Sequence, residues 1–158
     1  MTCRPAAARV VALLAGLAAA GGARAACLEF ASQPDGAALA HVTTPADDPA
    51  FTLTYVHSVT RTPVVERYRI DNATIVQTEI RFEQHGPGLP TQAEQGGTFE
   101  RRDGRFVVTM QRRFDVIVMR VHADQSPRLL VGARTVDLAT WGNRAIALRA
   151  HAGTCAAA

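Results

Sequence analysis

The feature that most constrains the fold of this chain is a repeated alternation of residue type in short runs. In residues 51–57, apolar and hydroxyl-bearing side chains alternate along the chain. Successive side chains of a β-strand point to opposite faces, so a period of two is typical of a strand with one buried face. Glycine or proline recurs between nearly all such runs and marks the turns between strands.

Seven further runs favour strands, namely residues 64–70, 74–82, 98–101, 105–110, 114–122, 128–131 and 145–149. The sequence Arg102-Asp103-Gly104 between two of them predicts a tight hairpin. A turn of helix is expected only at residues 135–141, where Gly142 ends it. The chain is therefore predicted to be all-β, a small antiparallel β-sandwich or barrel with a single domain.

The first 25 residues have the three parts of a secretory signal peptide. Arg4 and Arg9 precede an apolar run at residues 10–20, and Ala23-Arg24-Ala25 fits a small-x-small cleavage site. We therefore expect cleavage near Ala25, which leaves residues 26–158 as a β-rich periplasmic domain. An uncleaved N-terminal anchor is the alternative, although the apolar run is short for a membrane span.

Cleavage at that position changes the charge of the chain. All 17 basic residues are Arg, and three of them lie in the leader, which leaves 14 Arg against 14 Asp and Glu. The mature domain is thus formally neutral and lacks the basic stripe that a nucleic-acid-binding protein needs.

The mature chain contains only two cysteines, Cys27 and Cys155, one near each end. An oxidising compartment favours a disulfide between them. Two unpaired thiols or an intermolecular bridge are the alternatives. A metal site on these two residues would lack nearby ligands, and no metal or other cofactor is predicted.

The densest group of candidate functional residues is the segment from His57 to Tyr68. If the flanking strands form a hairpin, His57 comes close to Glu66, and a carboxylate beside an imidazole orients it or raises its pKa. The alternative is a His–Glu hydrogen bond that only holds a loop. Ser58 is not expected to act as a nucleophile, because neighbouring strand residues face opposite ways and no Gly-x-Ser-x-Gly sequence is present.

Two other features could contribute to a site. The sequence Gly86-Pro87-Gly88-Leu89-Pro90 predicts a tight loop, and its glycines permit close approach of a ligand or chain segment. Arg120 could receive a carboxylate in a two-pronged hydrogen bond, or pair with an internal acid. Metal binding by His57, Glu66, His85 and His122 has no supporting ligand spacing.

These motifs together resemble a known family. The pattern comprises His57-Ser58-Val59-x-x-Thr62-Pro63-Val64-x-Glu66-x-Tyr68, then Glu79-x-Arg81-Phe82, then Gly86-x-Gly88-Leu89-Pro90. It is similar to the bacterial family catalogued as domain of unknown function 1850, and the resemblance spans residues 27–149. It implies a small exported accessory of TRAP-type secondary transporters whose receptors are of the TAXI class. Pro87 departs from the smaller residue expected between the glycines.

The resulting hypothesis is a non-enzymatic periplasmic domain that assists such an uptake system. It would contact the receptor or membrane subunit, or bind a small anionic solute. The expected binding residues are His57, Glu66 and Tyr68 as one wall, Gly86, Gly88 and Pro90 of the 86–90 loop as the rim, and Arg120 as an anion partner. Ser58, next to His57, is also expected to contribute to binding. The alternatives are a small periplasmic enzyme that uses a His57–Glu66 acid–base pair, and a purely structural interaction module.

Overall fold

The computed structural model describes residues 24–156. Residues 1–23, which hold nearly all of the predicted signal peptide, lie outside the described residues. The described chain forms strands β1 (Ala26–Gln33), β2 (Ala38–Thr43), β3 (Ala50–Val56), β4 (Pro63–Asp71), β5 (Thr74–Phe82), β6 (Phe99–Arg102), β7 (Arg105–Phe114), β8 (Ile117–Val121), β9 (Arg128–Val131), β10 (Arg134–Asp137) and β11 (Arg144–Ala152). Between strands lie two 3₁₀ helices, Ala123–Gln125 and Leu138–Trp141.

The strands form two antiparallel sheets that pack against each other. The smaller sheet has the order β2-β1-β11-β8, and the larger has the order β10-β9-β3-β4-β5-β7-β6. Because each sheet ends in edge strands and does not close on itself, the fold is a sandwich rather than a barrel. The prediction of an all-β, single-domain antiparallel fold is confirmed.

The predicted hairpin between β6 and β7 is also confirmed. Arg102 pairs with Arg105, and the two residues between them, Asp103 and Gly104, have φ of 51° and 77°. Positive φ at both central positions suits the twist of a two-residue hairpin.

The predicted strand at residues 114–122 is wrong at its start. Phe114 ends β7, where it pairs with Ile75 of the larger sheet, and β8 begins at Ile117 in the smaller sheet. The chain thus crosses between sheets at residues 115 and 116. The helical turn predicted at residues 135–141 is wrong at its start, because residues 135–137 belong to β10 and the 3₁₀ helix begins at Leu138. It ends at Gly142, as expected, and this glycine has a φ of 75°.

The apolar interior has two parts. The main core lies between the sheets and includes Phe30, Ile75, Leu129 and Leu148, all fully buried. A second core lies on β4, β5 and β7 and includes Val64, Ile80, Phe82, Leu89, Val108 and Met110. Leu89 belongs to the loop between β5 and β6, so this loop covers the part of the larger sheet where the second core lies. Tyr55 packs against both cores and therefore marks their boundary.

A disulfide joins Cys27 to Cys155 and confirms the predicted pairing. Cys27 lies in β1 opposite His151 of β11, so the two ends of the described chain already meet in the smaller sheet. The Cα atoms of the two cysteines are 4.7 Å apart. The backbone N–H of Cys155 also donates to the hydroxyl of Thr43 in β2 at 3.1 Å.

Candidate binding site

A carboxylate held by two tyrosines lies at the boundary of the two cores. Glu66 and Tyr68 are two residues apart on β4 and share its inner face, and Tyr55 lies on the paired strand β3. The Tyr55 hydroxyl donates to Oε1 of Glu66 at 2.8 Å, and the Tyr68 hydroxyl donates to Oε2. The Tyr68 ring is itself stacked on Phe51, with ring centroids 4.7 Å apart. Both carboxylate oxygens are therefore fixed in position by neutral donors.

The electrostatics of this cluster keep the two hydroxyls protonated. Burial, followed by the nearby charge of Glu66, raises the pKa of Tyr55 and the pKa of Tyr68 well above the usual tyrosine value. Glu66 makes no ion pair with any residue in the range 24–156. Each carboxylate oxygen has two lone pairs, so each can accept a further hydrogen bond from a ligand.

Glu66 forms part of the wall of a cavity between the two sheets, with a volume of about 180 Å³. Its apolar walls come from Leu53, Ile117, Met119, Val121 and Pro127, and its polar groups come from Tyr55, Glu66, Tyr68, Arg120, His122 and Gln125. Small-molecule pockets typically have about 300–1,000 Å³. The cavity therefore has room for one side chain or a very small solute.

The edge strand β8 forms one side of the cavity. Ile117, Met119 and Val121 alternate with the exposed Val118 and Arg120, so the first three face the interior and the other two face outward. Arg120 nevertheless borders the cavity. Because β8 is the last strand of its sheet, inner-facing and outer-facing residues can both border the cavity at that edge. Arg120 is exposed and has no ion pair among the described residues.

The expected contact between His57 and Glu66 is not formed. Glu66 pairs with Leu53, which lies four residues before His57 and so about 13 Å along the strand. His57 is only 6% exposed, and backbone groups hydrogen-bond to both nitrogens of its ring. Nδ1 accepts from the N–H groups of Val59 and Thr60, each at 3.2 Å, and Nε2 donates to the Pro87 carbonyl at 3.1 Å. His57 thus links the loop between β3 and β4 to the loop between β5 and β6 through hydrogen bonds.

The loop at residues 86–90 contacts His57 and does not line the cavity. A Cβ atom on Gly86 would lie 2.7 Å from Cε1 of His57, so only glycine permits the observed approach. Gly88 has a φ of 85°, which also favours glycine, while Ser58 is exposed and Pro90 is half-buried. None of these residues lines the cavity, so the loop does not form the rim of this cavity. Of the predicted binding residues, the structure brings together Glu66, Tyr68 and Arg120.

A second groove, of about 440 Å³, lies on the outer surface near the β6–β7 turn and is rich in arginine. Its arginines are already paired with carboxylates: Arg81 with Glu79, Arg102 with Glu100 and Arg105 with Glu83. These internal pairs offset the positive charge that would otherwise attract an anion.

Sequence reasoning missed three polar residues of the cavity, Tyr55, His122 and Gln125. Tyr55 could have been found, because it lies on the same face of β3 as Leu53 and diagonally opposite Glu66. His122 ended the predicted strand at residues 114–122 and was considered only as a metal ligand, and Gln125 lies in the 3₁₀ helix after β8, outside every alternating run. Over residues 24–156, no group of three or more His, Cys, Asp or Glu side chains is arranged to hold a metal ion. The same range contains no helix long and apolar enough to span a bilayer.

The fold and the cavity define a small disulfide-linked β-sandwich with a carboxylate-based recessed site. The chain belongs to the family described as domain of unknown function (DUF1850), whose model matches residues 51–138. The matched segment includes every residue that lines the cavity. No curated protein and no solved structure shows significant similarity to the chain.

Proposed function

We propose that the protein is an exported, periplasmic accessory of a TRAP-type uptake system with a TAXI-class receptor. It acts by binding a component of the transporter, either the receptor or the membrane subunit, through the cavity at Glu66. The N-terminal segment with its cleavage site supports export, and the family resemblance supports the link to uptake. The observation that carries the binding role is the oriented carboxylate in a recessed, largely apolar cavity.

The cavity favours a protein partner over a free anion. Its volume of about 180 Å³ corresponds to roughly six waters at about 30 Å³ each, enough for one inserted side chain. Glu66 would repel an anion placed beside it, whereas it attracts a donor or a cation. Apolar walls around a fixed polar group are typical of specific recognition pockets.

A small anionic solute is the second candidate, and Arg120 is the observation that favours it. This arginine is exposed at the rim and is free of internal ion pairs in the part of the chain that the structure describes. Its guanidinium can hold a carboxylate through two parallel hydrogen bonds. The enzymatic alternative required a His57–Glu66 pair, and that contact is not formed.

Co-purification with the transporter tests the proposal. The tagged protein is expressed with the receptor and membrane subunit of its own system, as wild type, as Glu66→Gln and as Glu100→Gln. Glu100 is an exposed carboxylate of β6 far from the cavity lining, so it controls for loss of one negative charge. We expect recovery of a transporter component with the wild type and with Glu100→Gln, and strongly reduced recovery with Glu66→Gln.

Equal recovery of the transporter component with all three proteins would contradict binding through the cavity at Glu66. No recovery of any component from cells that express the transporter would contradict the transporter role itself. The solute alternative is measured separately by calorimetry with acetate and succinate as anion probes. Binding of either anion that is lost in Arg120→Gln would favour the second candidate.

A further inference from the structure

The outer edge of β8 is free to form hydrogen bonds. β8 pairs with β11 on one side, from Ile117 opposite Leu148 to Val121 opposite Arg144. It is the last strand of the smaller sheet, and no other backbone bond within residues 24–156 involves it. An edge strand presents its unpaired N–H and C=O groups as a template for another extended chain.

β8 differs in its side chains from two of the other three edges, β6 and β10. Four of its five residues are apolar, and Val118 is 62% exposed on the outer face. By contrast, β6 carries Glu100, Arg101 and Arg102, and β10 carries Arg134 and Asp137. The remaining edge, β2, is also mostly apolar, but none of its residues lines the cavity at Glu66. Charged residues on an edge discourage pairing with another chain, whereas an exposed apolar edge promotes it.

The edge and the cavity are continuous. Ile117, Met119 and Val121 of β8 line the cavity on its inner face, and Glu66 lies across from them on β4. A chain that paired with β8 would direct every second side chain to this inner side. A side chain at that position would enter the cavity and meet a half-buried carboxylate that has no basic partner among the described residues.

We propose that β8 accepts an extended segment of the partner as a fifth strand of the smaller sheet, and that a Lys or Arg side chain of this segment enters the cavity and binds Glu66. The inference rests on the proposed binding role of the cavity and specifies the chemistry of what it binds. Main-chain hydrogen bonds to β8 provide affinity, and the charge pairing with Glu66 provides specificity. An acidic residue next to the basic one would point outward, where it can pair with Arg120.

Peptide selection tests this mode of binding. Random nine-residue peptides displayed on phage are selected on the folded wild-type protein, and the most enriched peptide is synthesised. We expect enriched sequences with one Lys or Arg among alternating apolar residues. Binding should weaken about tenfold or more in Glu66→Gln, or when the basic residue is replaced by norleucine, because a hydrogen bond to a charged group is lost. Glu100→Gln should bind as the wild type does.

The backbone contribution is measured with the same peptide N-methylated at alternate residues, which removes main-chain donors without changing the side chains. We expect one of the two methylation patterns to abolish binding, and hydrogen exchange to show that amides within residues 117–121 become protected when the unmethylated peptide binds. Two results would each overturn the inference: selection of peptides without a basic residue, and binding that leaves these amides unprotected.

The two proposals fail in different ways. A basic peptide that adds to β8, together with no recovery of transporter components, leaves the inference standing and contradicts the transporter role. Recovery of transporter components that depends on Glu66, together with a selected peptide that leaves β8 unprotected, supports the transporter role and overturns strand addition.

Discussion

Two tyrosines are predicted to govern the alkaline stability of this protein. The chain contains 2 Tyr and no Lys, and both tyrosines donate to Glu66. Arginine titrates above about pH 12, and Cys27 and Cys155, the two cysteines of residues 24–156, are joined in a disulfide. Tyr55 and Tyr68 are therefore the only side chains of residues 24–156 that ionise between about pH 9 and pH 12 in the unfolded state.

The sign and size of the effect follow from linkage. In the folded state, burial and the charge of Glu66 raise the pKa of both tyrosines, while in the unfolded state they titrate near about pH 10. Stability is thus fully retained below about pH 10 and is lost as the pH rises further, because only the unfolded state releases the protons. At about pH 11 the loss is about 1.4 kcal/mol for each tyrosine, or about 3 kcal/mol for both.

Urea unfolding at a series of alkaline pH values measures this loss, and tyrosinate absorbance follows ionisation in the folded protein. We expect no tyrosinate signal until the sheet signal in circular dichroism is lost. Tyr55→Phe and Tyr68→Phe should each halve the steepness of the pH dependence. Tyrosinate that forms near about pH 10 in a protein with intact circular dichroism would refute the assignment of both hydroxyls to Glu66.

Three further predictions concern other parts of the molecule. Reduction of the Cys27–Cys155 disulfide, which spans 128 residues, should lower the free energy of unfolding by about 5 kcal/mol in urea titrations, and a change below about 1 kcal/mol would argue against loop closure as its role. His57→Ala should lower the free energy of unfolding by about 3 kcal/mol, since backbone groups lose their hydrogen-bond partners. The folded variant should still bind the peptide, and a loss of peptide binding would show that His57 belongs to the binding site. Gly86→Ala should be destabilising in thermal unfolding, and less so in the His57→Ala background, whereas strictly additive effects would contradict the close contact of Gly86 with the His57 ring.

Most of the strands could be predicted because they have one buried face, but β1, β2 and β10 were not predicted, and β1 is buried on both faces. The alternation at residues 64–70 placed Val64, Glu66, Tyr68 and Ile70 together, and the structure confirms that these residues share the inner face. The disulfide was predictable for a different reason, since two cysteines in a chain that is expected to be exported have few other partners. Period and composition therefore suffice for the fold class and for one wall of the site.

The rest of the site depends on tertiary packing. His57 was predicted to meet Glu66 because a hairpin connects them, but the register places Leu53 opposite Glu66 and leaves His57 beyond the paired strands. The Pro87 carbonyl that binds His57 lies 30 residues further along the chain, and no local sequence pattern predicts such a contact. The cavity likewise exists because the smaller sheet ends at β8, and the order of strands in a sheet cannot be read from alternation.

Site-specific photocrosslinking in cells tests most directly the claim that the open edge of β8 is the docking site for a transporter component. A photoreactive amino acid replaces Val118 on β8 in one strain and Thr135, an exposed residue on the edge of β10, in another. We predict a crosslink to the receptor or membrane subunit from position 118, its loss when Glu66→Gln is added, and none from position 135. Equal crosslinking from both positions, or none from position 118 while the transporter is expressed, would contradict the claim.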